Sequence, residues 1–248
     1  MKVDAVVFDY GNTLVLDPFE KVLILKAYDF LKVMEKNGYE VSKKRFFEAW
    51  KKINETVNHP FCSHFAQDTR FLKIVLEKLG VPKNKRGELS HQLLVVYRSG
   101  LKYVLRKDKR VAEVKDILSG LKKKGKRLYV LSNEMNDMLN MQISFTGLHK
   151  FFNKIISSES VGFDKPDPKI FRHMINIVGP PEENIVYVGD DPEGDIKPAK
   201  ALGMKAILLK LPNAMSIKGW RDYNFRLKAK EKPDFVIKDL SELLDIVE

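Results

Sequence analysis

Acidic residues stand at two places far apart in this chain. Asp9 opens the run Asp9-Tyr10-Gly11-Asn12-Thr13-Leu14, and Gly189-Asp190-Asp191 is followed one turn later by Asp195. Between them lie Ser132-Asn133 and the segment Gly162-Phe163-Asp164-Lys165-Pro166-Asp167-Pro168. If the fold gathers them, four carboxylates face one lysine. Such a group repels itself unless a divalent cation or shared protons compensate, and hard oxygen donors of this kind suit Mg²⁺.

The elements around these residues decide whether they can meet. Val3 to Phe8 is a short apolar run closed by a glycine-containing turn, which predicts a strand buried on both faces. From Pro18 to about Arg106 the apolar residues fall at helical spacing, as in Val22, Leu25, Leu31 and Met34. Breaks at Asn37-Gly38, His59-Pro60, Gly80-Val81-Pro82 and Gly87 predict about four helices there. After Arg106 the chain alternates. Strands are expected at Arg127 to Leu131, Asn153 to Ser157, Asn184 to Val188, Lys205 to Leu209 and Phe235 to Ile237. Helices are expected at Val111 to Lys124, Met135 to Gly147, Pro168 to Ile177 and Glu193 to Leu202. Asp167-Pro168 reads as an N-cap followed by the first helical residue. Alternation of this kind builds right-handed crossovers in a parallel sheet. The expected fold is α/β, a doubly wound, Rossmann-like core of residues 1–16 and 107–248 with an all-helical cap of residues 17–106 inserted after the first strand. In such a sheet ligands bind beyond the carboxyl ends of the strands, which is where Asp9, Ser132 and Gly189-Asp190-Asp191 fall.

Composition narrows the class. With 248 residues, 44% apolar and 31% charged, the chain is globular and long enough for a sizeable core. Its single cysteine, Cys62, forms no internal disulfide and points to a reducing compartment, hence a cytoplasmic protein. No apolar run approaches the ~20 residues that span a bilayer, and Asp9 closes the first run too early for a signal peptide. The net charge is +11, from 44 Lys and Arg against 33 Asp and Glu. The lysines are dispersed at helical spacing with no stripe interleaved by aromatics, which argues against a nucleic-acid partner. A basic stretch, Leu211 to Lys232, contains Trp220 and has no assigned role.

These motifs, in this order over nearly the whole chain, resemble the haloacid dehalogenase-like hydrolases, most of which are Mg²⁺-dependent phosphatases. The resemblance implies that Asp9 is a nucleophile forming an aspartyl-phosphate and that Lys165 neutralises Asp9 and the transferred group. It implies that the Ser132 hydroxyl and the Asn133 backbone amide hold phosphate oxygens. Asp9, the Gly11 carbonyl and Asp190 would hold Mg²⁺, with Asp191 and Asp195 completing the acidic shell directly or through water. The chemistry accounts for these residue types, because phosphoryl transfer spreads negative charge over three oxygens and catalysis consists of positioning and neutralising it. Ser132 also reads as a helix cap, and Asp191 also has a structural reading. The cap aromatics Phe61, Phe65 and Tyr97 read as core.

One departure stands out. Phosphatases of this family carry a second aspartate two positions after the nucleophile, and this chain has Gly11. That aspartate protonates the leaving group and then activates water, help typically worth about 10²- to 10⁴-fold. Three readings stay open: a phosphatase of a small phosphorylated substrate, weak or dependent on its leaving group; a non-catalytic phosphate-binding module; and a dehalogenase-like hydrolase attacking carbon.

Overall fold

A computed structural model describes residues 1–16, 18–57, 69–210 and 232–248. The His59-Pro60 break, Phe61, Cys62, Phe65 and the basic stretch with Trp220 lie outside them. The chain divides into two compact units, Met1–Asp17 with Asp108–Glu248, and Pro18–Lys107.

The first unit is built on six parallel strands: β1 (Ala5–Phe8), β2 (Arg127–Ser132), β3 (Lys154–Ser157), β4 (Ile185–Gly189), β5 (Lys205–Leu209) and β6 (Phe235–Ile237). Their order is β3-β2-β1-β4-β5-β6, so the winding reverses between β1 and β4. This is the doubly wound arrangement expected of the alternation. All four residues of β1 and all five of β4 are buried, which is why both read as apolar runs rather than as alternating strands. On one face Ala5, Val7, Leu131, Ile156, Ile185 and Ala206 pack with Ile170, Phe171, Met174 and Val178 of a helix over Pro168–Val178. Each such side chain contributes roughly 1.5–3 kcal/mol of burial. That helix starts as its sequence predicts. Asp167 accepts from the Lys169 N–H at 2.8 Å, Pro168 occupies the first turn, and Gly179 ends it in the left-handed conformation.

The second unit holds α1 (Phe19–Leu25), α2 (Ala27–Lys36), α3 (Lys43–Val57), α4 (Thr69–Lys78) and α5 (Lys83–Lys107). The expected break at Gly87 does not occur: Gly87 lies inside α5, where neighbouring helix formers and the buried stripe Leu89, Leu93, Tyr97, Leu101 and Leu105 outweigh glycine's cost of about 1 kcal/mol. A turn at Lys26, not foreseen, separates α1 from α2. The unit's centre is aromatic. Trp50 packs on Phe30 (5.2 Å), Phe46 (5.5 Å), Phe71 (5.6 Å) and Tyr97 (6.1 Å), so Tyr97 is core.

The core's remaining helices are α6 (Lys109–Lys123), α7 (Asn136–Thr146), α8 (Ser158–Val161), α9 (Pro168–Val178), α10 (Lys197–Ala201) and α11 (Leu243–Ile246). A single helix over Glu193 to Leu202 is replaced by a wide turn, Pro192–Ile196, followed by α10. No helix among the described residues is long and apolar enough to cross a membrane.

Candidate active site

β1 and β4 run in register, Phe8 beside Val188, and the Asp9 N–H continues the ladder by donating to the Val188 carbonyl at 2.9 Å. Asp9 and Asp190 therefore leave adjacent strands at the point where the winding reverses, the position at which a crevice opens in sheets of this kind. After Asp9 the chain turns back on itself. Leu14 and Val15 donate to the Tyr10 carbonyl, and Asn12 adopts a left-handed φ of 56°, tolerable for asparagine. Thr13 Oγ1 then donates to Asp9 Oδ2 at 3.2 Å.

Lys165 reaches this point from the loop before α9. Its Nζ donates to Asp9 Oδ1 at 2.7 Å and to Asp195 Oδ1 at 2.6 Å. All three groups are buried, with relative exposures of 7% (Asp9), 5% (Lys165) and 1% (Asp195). Burial by itself pulls the Lys165 ammonium down, but Asp195, Asp9 and Tyr187 outweigh it and hold its pKa well above the ordinary value, so the lysine is charged. Burial pushes the Asp195 carboxyl up, opposed by Lys165 and reinforced by Asp9, Asp191 and Asp190.

Oxygen atoms of Asp9, Asp190 and Asp195 lie within 4.8 Å of one another. Asp191 does not join that group; its carboxylate caps the following turn, accepting from the Glu193 N–H at 3.0 Å. Its backbone N–H donates to Asp195 Oδ2 at 3.1 Å, so both Asp195 oxygens are engaged by protein donors. Gly189 makes this possible, because a Cβ there would overlap the Asp195 carboxylate.

Ser132 ends β2, and its Oγ accepts from the Glu134 N–H at 3.2 Å, a turn-stabilising bond. The Asn133 side chain does something its sequence position did not suggest. It accepts from the Lys165 N–H at 2.7 Å and donates to the Lys165 carbonyl at 2.9 Å, gripping the lysine's backbone at both polar groups. At Gly11 a Cβ would meet nothing within 4 Å.

The family profile of the haloacid dehalogenase-like hydrolases matches residues 30–209. The chain is a haloacid dehalogenase-like hydrolase. Over 99% of its length it is 26% identical to a glyceraldehyde 3-phosphate phosphatase of Methanopyrus kandleri, covering 97% of that protein. Among solved structures, a 2-haloacid dehalogenase of Pseudomonas syringae is 25% identical, with a TM-score of 0.67 over 98% of this chain and 97% of that one. The magnesium-bound hydrolase YfnB of Bacillus subtilis shares the fold at 21% identity, with a TM-score of 0.67 and 99% of each chain covered.

Three side chains of this hydrolase's site escaped the motif reading. Tyr187 lies inside β4, where a tyrosine in a buried run looks like core. Thr13 belongs to the first motif but carries no charge to mark it. Arg110 sits in the first turn of α6 and donates to the Thr13 carbonyl at 2.8 Å. Burial lowers the Arg110 pKa, with Asp239, Asp108, Glu113 and Asp190 opposing. Arg110 thus ties the loop carrying Asp9 to the start of α6.

Proposed function

We propose that this hydrolase is a Mg²⁺-dependent phosphatase of small phosphorylated compounds, acting through an aspartyl-phosphate on Asp9. The observation that carries the reading is the buried Asp9–Lys165 pair at 2.7 Å beside the oxygens of Asp190 and Asp195, all at the reversal point of the sheet. The donor set suits a hard cation: the gathered ligands are carboxylate oxygens, and one lysine leaves their charge uncompensated. Asp9 and Asp190 would hold the ion, with the Gly11 carbonyl as a further oxygen donor and Asp191 and Asp195 in the outer shell. When bound, Mg²⁺ would supply positive charge against the phosphoryl oxygens and ease the approach of the anionic ester to Asp9.

An Asp9 carboxylate oxygen attacks phosphorus, forming the O–P bond as the bond to the leaving oxygen breaks. Lys165 compensates the charge on Asp9 beforehand and on the phosphoryl group afterwards. Ser132 and the Asn133 backbone amide hold phosphoryl oxygens. Water then attacks phosphorus, releasing inorganic phosphate and restoring the Asp9 carboxylate. Residues 1–16 and 107–248 carry this chemistry, and substrate selection is assigned to residues 17–106.

No carboxyl stands at position 11 to protonate the departing oxygen. The favoured substrates therefore have leaving groups stable as anions, such as aryl or acyl phosphates. The glyceraldehyde 3-phosphate phosphatase of M. kandleri supports the phosphate class without fixing the compound. The test is hydrolysis of p-nitrophenyl phosphate and of glycerol phosphate with and without Mg²⁺, beside Asp9→Asn. Mg²⁺-dependent release from the aryl ester, far faster than from the alkyl ester and lost in the variant, is expected. Equal rates on both esters would mean that another acid replaces the missing one.

The likeness to the P. syringae dehalogenase, together with Gly11, favours one second reading, attack of Asp9 on a halogen-bearing carbon. Chloride release from 2-chloropropionate in EDTA distinguishes it. The grouped oxygens of Asp9, Asp190 and Asp195 weigh against it, because carbon attack requires no cation.

A further inference from the structure

Tyr187 is buried in a cluster made mostly of apolar side chains, among them Ala5, Val7, Leu131 and Phe171, and its ring packs on Phe171 at 5.4 Å. Phenylalanine would fill the same volume. A hydroxyl there carries a desolvation cost that packing does not offset, so it must be compensated by what it touches. It touches three groups: Lys165 Nζ at 3.3 Å, Asp195 Oδ1 at 3.2 Å and the Leu131 carbonyl at 3.3 Å.

An ammonium has three N–H bonds in fixed directions. Asp9 and Asp195 take two of those of Lys165, at 2.7 and 2.6 Å, and the Tyr187 oxygen is the acceptor for the third. The tyrosine's own hydrogen then goes to Asp195 or to the Leu131 carbonyl, so its oxygen presents a lone pair to the lysine. With all three donors matched, the ammonium is locked about its last bond, and both carboxylate contacts are held at once. The Tyr187 bond is the longest of the three and involves no negative charge.

We infer that Tyr187 is the positioning residue of the nucleophile's lysine, fixing the direction in which Lys165 faces Asp9 while taking no part in bond making. The inference rests on the reading of Asp9 and Lys165 as the reacting pair. It predicts an oxygen whose removal lowers turnover per folded molecule, which a packing role does not do.

Tyr187→Phe tests it with two measurements. On p-nitrophenyl phosphate with Mg²⁺, at a temperature where both proteins are fully folded, kcat should fall about tenfold with KM within about twofold. An unchanged kcat, or a loss accounted for by the fraction of protein unfolded, would overturn the inference. The second measurement does not need turnover. Exchange of the Lys165 ammonium hydrogens with water, followed by ¹⁵N NMR and assigned by the signal missing from Lys165→Met, should be faster in Tyr187→Phe. Equal exchange would overturn the positioning role. Wild-type protein inert toward phosphate esters would sink the phosphatase reading while leaving the exchange result to decide this one.

Discussion

The two units each have a buried centre, and the centres work by different rules. Around Lys165 every contact is directional: a cation, two carboxylates, a hydroxyl and an amide side chain, each with a named partner at 2.6 to 3.3 Å. Around Trp50 the contacts are between rings, with centroids 5.2 to 6.1 Å apart and mixed tilts. In the ring cluster, shape and volume determine what fits, and related apolar side chains can substitute at modest cost. In the ionic cluster, removing one partner strands another buried polar group, and no substitute of similar size repairs that. The difference is the reason the proposed chemistry is assigned to the first centre, which is already arranged to hold charge in a fixed direction.

This contrast predicts an order of effects. Lys165→Met leaves Asp9 and Asp195 facing each other without a cation. It should destabilise the protein by about 3–5 kcal/mol in chemical denaturation and lower turnover per folded molecule by at least about 10²-fold. Trp50→Ala should cost a similar 3–5 kcal/mol through the cavity it opens, yet retain turnover per folded molecule; loss of activity beyond the loss of folded protein would break the comparison. Gly189→Ala forces Asp195 off its place. A destabilisation of about 1–3 kcal/mol is expected, together with loss of turnover, because Asp195 is the lysine's second partner. Gly11→Asp sharpens the picture from the other side, since a Cβ at position 11 meets nothing within 4 Å. Turnover of alkyl phosphates should rise toward the ~10²-fold that a positioned acid supplies, with aryl phosphates gaining less.

The smallest effect concerns a surface carboxylate. The Ser241 hydroxyl and backbone N–H, the latter at 2.7 Å, hold the Asp239 pKa below its ordinary value. A depressed pKa contributes stability that is fully present above the unfolded value and is lost as pH falls through the folded one. Asp239→Asn should therefore remove that small increment at neutral pH, with the two stability profiles converging as pH falls below about 4 and the variant's acid limb the flatter.

Some of this was readable from residue types because local physics decides it. The strands of the parallel sheet are buried on both faces, so β1 and β4 appear as unbroken apolar runs, and whatever follows them lies at the sheet's carboxyl edge. Asp167-Pro168 announces the start of α9 through capping and a fixed φ. Gly87 misled for the opposite reason: a glycine's weak local preference yields to a buried helical face. The wide turn at Pro192–Ile196 was equally hidden, because Asp195 reaches its place only by leaving regular helical geometry.

By itself, then, the sequence determined the α/β alternation, the strand-end location of Asp9 and Asp190 and the glycine at position 11, since each depends on burial periodicity or on residue identity alone. The tertiary structure decided that Asp191 caps a turn while Asp195 holds the lysine. It also decided that Asn133 grips the Lys165 backbone and that a core tyrosine offers its oxygen to an ammonium 22 residues away in sequence. Those roles arise from directions in space between segments distant along the chain, and a hydrogen bond's direction leaves no trace in the order of residues.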